Sequence, residues 1–126
     1  MRDARTNDVT IENVIGNVED KIVIFVDDQA ITLDSLTEAA KLVKSRGARE
    51  VYAYSTHGLM APRKGVTAED KLANSVIKKL YITDTIPRSE QYFQENPKLG
   101  LISCVDLFAE ALRRIHENEP LSELFK

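Results

Sequence analysis

Five consecutive apolar residues, Ile22-Val23-Ile24-Phe25-Val26, run directly into two carboxylates, Asp27 and Asp28. β-Branched and aromatic side chains crowd a helix and fit a pleated strand. An unbroken apolar run has no polar face, so it suits a strand of a parallel sheet that is covered on both sides. Ser35 and Glu38 follow with the S-x-x-E spacing of a capping box, and Leu36, Ala39, Ala40 and Val43 share one helical face. Gly47, just after Arg46, supplies the helix stop. The segment from Glu50 to Thr56 is again strand-like. Strand, helix and strand with short joins make a βαβ unit with a right-handed crossover.

The pattern continues along the chain. Lys79 to Thr83 and Leu99 to Ser103 read as third and fourth strands, and Ala68 to Asn74 as a short helix. Residues 57–67 and the polar segment from Gln91 to Pro97 read as loops. A last helix opens at Ser103, with Val105, Phe108, Ala109, Leu112 and Ile115 as its apolar stripe. Val9 and Ile11 alternate with polar neighbours, as an edge strand does, inside a leading segment of residues 1–20. The alternation predicts an α/β fold with a doubly wound, mainly parallel sheet, formed by a single domain over residues 1–126. Ligands of such sheets bind beyond the carboxyl ends of the strands, where Asp27-Asp28, Ser55-Thr56-His57 and Asp84-Thr85 converge.

Composition narrows the function classes. A net charge of −3 argues against nonspecific nucleic-acid binding, which needs a basic surface. The apolar run from Ile22 to Val26 falls far short of the roughly 20 residues that a membrane span requires. The first residues show no apolar signal-peptide core, and Cys104 stands alone, so a reducing cytoplasmic setting is expected.

Asp27 and Asp28 carry the most chemistry. Adjacent carboxylates after a buried strand can accept hydrogen bonds from sugar hydroxyls or hold a divalent cation, and they can equally cap the turn that follows. His57 reads as a polar strand cap, because no serine or cysteine stands at a recognisable spacing from it. His116 lies in the last turn of a helix, where positive charge is favoured. Cys104 opens the last helix as a small hydrophobe, and Arg63-Lys64 sits in a solvated loop. Two histidines and one cysteine in scattered positions give no zinc pattern. A receiver-type signalling domain would also place an Asp-Asp pair after a strand, but its third aspartate and strand-ending lysine are missing.

The order and spacing of several segments carry more. These are Ile24-Phe25-Val26-Asp27-Asp28 with Thr32 to Leu36, Gly47-Ala48-Arg49-Glu50-Val51-Tyr52-Ala53, Ser55-Thr56-His57-Gly58, Thr83-Asp84-Thr85-Ile86-Pro87, Ala109 to His116, and Leu124-Phe125. Over nearly its whole length the chain resembles the C-terminal half of ribose-phosphate pyrophosphokinase, the phosphoribosyl pyrophosphate synthetase. The resemblance implies the type I phosphoribosyltransferase fold and magnesium-dependent transfer of the diphosphoryl group of ATP to ribose 5-phosphate. It implies that Asp27 and Asp28 face the ribose hydroxyls. Thr32 and Ser35, with backbone amides at a helix N-terminus, would then hold the 5-phosphate. It also implies a homo-oligomer and a regulatory site at the C-terminal tail, onto which Ser122 and Phe125 map. The adenine pocket would come from an N-terminal half, in a partner chain if this one acts alone, so the isolated chain is expected to be inactive.

Two residues depart from that pattern. Leu33 and Asp34 stand where the family has two small residues. Leucine disfavours the positive φ that glycine permits. Asp34 is expected to place a carboxylate where a phosphate would sit, with a like-charge repulsion of roughly 4 kcal/mol at about 4 Å and an effective dielectric near 20. Loss of phosphate binding would leave a non-catalytic regulatory or scaffold subunit.

Overall fold

The computed structural model describes residues 14–126; the alternation at Val9 and Ile11 lies outside them. Four strands, β1 (Ile22–Ala30), β2 (Glu50–Gly58), β3 (Lys79–Thr83) and β4 (Leu99–Ile102), form one sheet in the order β1-β2-β3-β4. Every neighbouring pair is parallel. The intervening helices are α1 (Asp34–Ser45), α2 (Ala68–Ala73) and α3 (Glu90–Glu95), with α4 (Val105–His116) and a 3-10 turn (Leu121–Phe125) after β4. The parallel α/β class expected from the sequence is the class observed.

Register explains which side of the sheet is filled. Val23, Phe25 and Asp27 pair with Val51, Ala53 and Ser55, and these continue to Leu80 and Ile82 and on to Leu99. That face meets Ala40 and Val43 of α1 and Ala68 and Leu72 of α2, and these residues form the buried core. Tyr92 and Phe93 of α3 pack against its margin.

The strand order runs one way through the described residues, and right-handed crossovers then place their helices on one side. The other face carries Ile22, Ile24 and Val26, which are exposed; Val26 retains 81% of its accessible surface. The expectation that this apolar run is buried on both faces is therefore corrected: among the described residues β1 is an edge strand with one covered side. The stripe of α4 is also uncovered, since Val105, Phe108, Leu112 and Ile115 are all exposed.

Several boundaries differ from the sequence reading. β1 does not stop at the carboxylates. It continues to Ala30, because β2 runs to Gly58 and offers a pairing partner all the way. The capping box at Ser35 does not form. The N-cap residue is Leu33, in the left-handed region at φ 60°, and Ser35 lies within the first turn. Leu33 tolerates this conformation because its side chain is buried in the core. Gly47 takes φ 89° just past the end of α1, as a helix stop requires. The segment read as a loop from Gln91 contains α3, whose N-cap Ser89 accepts a hydrogen bond from the Tyr92 N–H at 3.2 Å.

Candidate functional site

A cavity of about 380 Å³ opens at the carboxyl end of β1. It is lined by Asp27, Asp28, the Ile31–Leu33 turn, Ser35 and, from β2, Tyr54 and Ser55. The four residues singled out in the sequence, Asp27, Asp28, Thr32 and Ser35, all line it. They converge because the strand end, the turn and the first turn of α1 are contiguous in the chain. Asp27 lies opposite Ser55 in the register, while Asp28 belongs to the opposite pleat. Both carboxylates are exposed, and Asp27 Oδ1 accepts the Asp28 N–H at 2.8 Å.

Two features give the cavity a polar character. The first turn of α1 has no side-chain cap, so its N–H groups keep their capacity to meet an anion. Ser55 is only 1% exposed, and its Oγ has no hydrogen-bond partner among the described residues. Leaving a buried hydroxyl unsatisfied costs about 1–3 kcal/mol. A polar ligand atom reaching this hydroxyl would offset that cost.

The turn itself is held by charge. Asp34 Oδ1 accepts from Lys71 Nζ at 2.6 Å, and Oδ2 accepts from Arg63 at 2.9 Å. The Thr32 hydroxyl donates to Asp34 Oδ2 at 3.1 Å, and Lys71 Nζ also donates to the Thr32 carbonyl at 3.1 Å. Partial burial raises the Asp34 pKa. Hydrogen bonds from Lys71, Thr32 and Arg63 outweigh that and hold the carboxyl below its ordinary value. Against the expectation of a bare carboxylate facing an anion, Asp34 is paired with two cations and does not itself line the cavity. Sequence reasoning missed Lys71, and its placing of Arg63 in a solvated loop is corrected: the Arg63 side chain is mostly buried and paired with Asp34. Arg63 and Lys71 lie 29 and 37 positions beyond Asp34, so no local spacing betrays them.

The remaining candidates lie elsewhere. His57 Nδ1 is 2.8 Å from Thr85 Oγ1, and the hydroxyls of Thr83 and Thr85 lie 2.6 and 3.1 Å from the Thr56 carbonyl. This network closes the ends of β2 and β3. Cys104 is the N-cap residue of α4. Ser122 and Phe125 lie on the exposed terminal turn, which Arg114 ties to α4 through Glu123 at 3.0 Å and the Pro120 carbonyl at 3.1 Å. Among the described residues no group of three or more His, Cys, Asp or Glu could hold a metal ion. No described helix is long and apolar enough to cross a membrane.

Comparison with known proteins decides the family. The model of the phosphoribosyl synthetase-associated domain matches residues 5–126. The chain belongs to this family. A ribose-phosphate pyrophosphokinase of Campylobacter jejuni is 36% identical over 124 residues, covering 98% of this chain and 38% of that protein. Ribose-phosphate pyrophosphokinase 3 of Saccharomyces cerevisiae is 37% identical, covering 98% and 37%. The crystal structure of phosphoribosylpyrophosphate synthetase from Mycobacterium smegmatis superposes with a TM-score of 0.72 at 29% identity, over 82% of this chain and 33% of that one. This member of the phosphoribosyl synthetase-associated family thus shares the phosphoribosyltransferase-like fold of that enzyme, and spans little more than a third of the length of these relatives.

Proposed function

We propose that this chain is the ribose 5-phosphate-binding part of a phosphoribosyl pyrophosphate synthetase. The observation that carries the reading is the cavity at the end of β1. There two exposed carboxylates stand beside an uncapped helix N-terminus and an unsatisfied buried hydroxyl. A sugar phosphate needs both ends of that arrangement. Asp27 and Asp28 accept hydrogen bonds from the ribose hydroxyls, and the first-turn amides of α1 with Ser35 receive the 5-phosphate.

In the reaction the resemblance implies, the ribose 1-hydroxyl oxygen attacks the β-phosphorus of ATP. The bond from that phosphorus to the bridging oxygen of AMP breaks, AMP leaves, and the hydroxyl loses its proton. This chain orients the acceptor and holds its phosphate away from the incoming triphosphate. Magnesium would neutralise the phosphate charge. Asp27 and Asp28 supply at most two protein ligands for it, which suits an ion that keeps waters and substrate oxygens.

The nucleotide side is supplied by further polypeptide, in the same protein or in a partner chain, and residues 1–126 alone do not catalyse the transfer. The uncovered face of β1 and the stripe of α4 suit contact with that polypeptide or with further copies. Ser122 and Phe125 belong to a regulatory tail at such a contact.

Calorimetric titration with ribose 5-phosphate, with and without magnesium, tests the reading. Saturable binding in the micromolar to low-millimolar range is expected, and its absence in a folded chain overturns it. One observation favours a second reading, a non-catalytic subunit without phosphate binding: the Thr32 hydroxyl is already bonded to Asp34. That reading predicts no saturable binding under the same conditions.

A further inference from the structure

We infer that Asp34 sets the anion affinity of the β1 cavity, by holding Thr32, Arg63 and Lys71 in a latch that an incoming phosphoryl group must open. The inference rests on the ribose 5-phosphate reading and adds a specificity-determining residue to it. The Thr32 hydroxyl has a single proton, and that proton is given to Asp34 Oδ2 at 3.1 Å. It is therefore withheld from the cavity that Thr32 lines. Lys71 spends one proton on Asp34 Oδ1 at 2.6 Å and another on the Thr32 carbonyl at 3.1 Å, so its ammonium is drawn against the backbone of the same turn.

The latch joins three separate segments: the turn before α1, the loop carrying Arg63, and α2 carrying Lys71. The cations are about three-quarters buried or more, with Lys71 at 17% and Arg63 at 25% side-chain exposure, while Asp34 between them keeps 32%. Independently of this cluster, Ser55 lines the same cavity with a buried hydroxyl that has no partner among the described residues. The cavity thus holds one unsatisfied polar group, while the hydroxyl beside it is satisfied internally by Asp34. A bound phosphoryl group competes with Asp34 for the proton of Thr32, the one residue of this cluster that lines the cavity. Breaking that charge-assisted bond is subtracted from its affinity.

The test uses the full chain and its Asp34→Asn variant, titrated with inorganic phosphate and with ribose 5-phosphate by calorimetry. Asparagine keeps the size of the side chain and removes its charge. The variant is expected to bind both ligands roughly tenfold more tightly, a change of about 1.4 kcal/mol. Should Asp34→Asn fail to fold, the wild-type chain answers by itself. The carboxyl-carbon resonance of Asp34 is expected to move as ribose 5-phosphate saturates the site.

Equal or weaker binding by a folded variant overturns the latch and leaves the ribose 5-phosphate reading standing. A carboxyl resonance that stays in place while ligand binds does the same. Absence of binding to both folded proteins overturns the reading and the latch together.

Discussion

The carboxylate of Asp84 accepts the backbone N–H of Cys104 at 2.7 Å. It also accepts the Ser103 hydroxyl at 2.5 Å. A residue just past the end of β3 therefore ties down the entry to α4, although α4 follows a different strand. The two bonds, that of Cys104 first, hold the Asp84 carboxyl below its ordinary value of 3.8. A depressed folded-state pKa adds stability above the unfolded value, and the gain is lost as pH falls through the folded one. Asp84→Asn is expected to lower the melting temperature by a few degrees at neutral pH and to speed amide exchange in the first turn of α4. The difference from wild type should vanish in acid, and exchange monitored by NMR against pH checks it.

Gly58 and Gly100 look alike in the sequence and differ in the fold. A Cβ at Gly58 would meet Ile82 at 2.7 Å, inside the core. A Cβ at Gly100 would meet the Tyr81 ring at 2.5 Å, but Tyr81 is only half-buried and can turn aside. Gly58→Ala should cost about 1–3 kcal/mol and Gly100→Ala less, as read from urea unfolding midpoints.

Leu33 sets two effects against each other. Its left-handed conformation costs roughly 1–2 kcal/mol, which glycine would relieve. Its side chain, 4% exposed, contributes about 2–5 kcal/mol that glycine would forfeit. Burial is the larger effect, so Leu33→Gly is expected to destabilise the chain by about 1–3 kcal/mol. Chemical denaturation measures it. A gain in stability would show that strain dominates.

Ser55→Ala separates folding from binding. Removing an unsatisfied buried hydroxyl should raise the stability of the ligand-free chain by about 1 kcal/mol. The same change should weaken ribose 5-phosphate binding several-fold if that hydroxyl meets the ligand. Thermal melts with and without ligand report both effects.

The uncovered face of β1 should bring copies of the chain together. Ile24→Lys with Val26→Glu replaces two of its exposed apolar side chains with opposite charges. Sedimentation velocity should show self-association of the wild-type chain and a shift toward monomer in this variant.

Much of the architecture is legible locally. β3 occupies the five residues that read as a strand from Lys79 to Thr83, and α1 follows its apolar stripe, with Ala40 and Val43 buried. What the sequence hides is tertiary. β1 outlasts its apolar run because β2 pairs with it to Ala30. α3 has six residues, none buried, too few for a helical period to stand out, and its one local signal is the capping Ser89. The cavity residues on β1 and α1 are neighbours in the chain, so their convergence is readable. The cations on Asp34 and the unsatisfied hydroxyl of Ser55 come from distant segments and emerge only with the fold.

The strand order also bears on how the chain is made. Because β1, β2, β3 and β4 lie side by side in the order of synthesis, each new strand pairs with the one completed just before it. Among the described residues no strand pairs with any but its neighbours in sequence, so no pairing skips over another strand. A nascent chain can build this sheet step by step as it leaves the ribosome, and Asp27 and Asp28 reach their final setting once β2 and the start of α1 have docked.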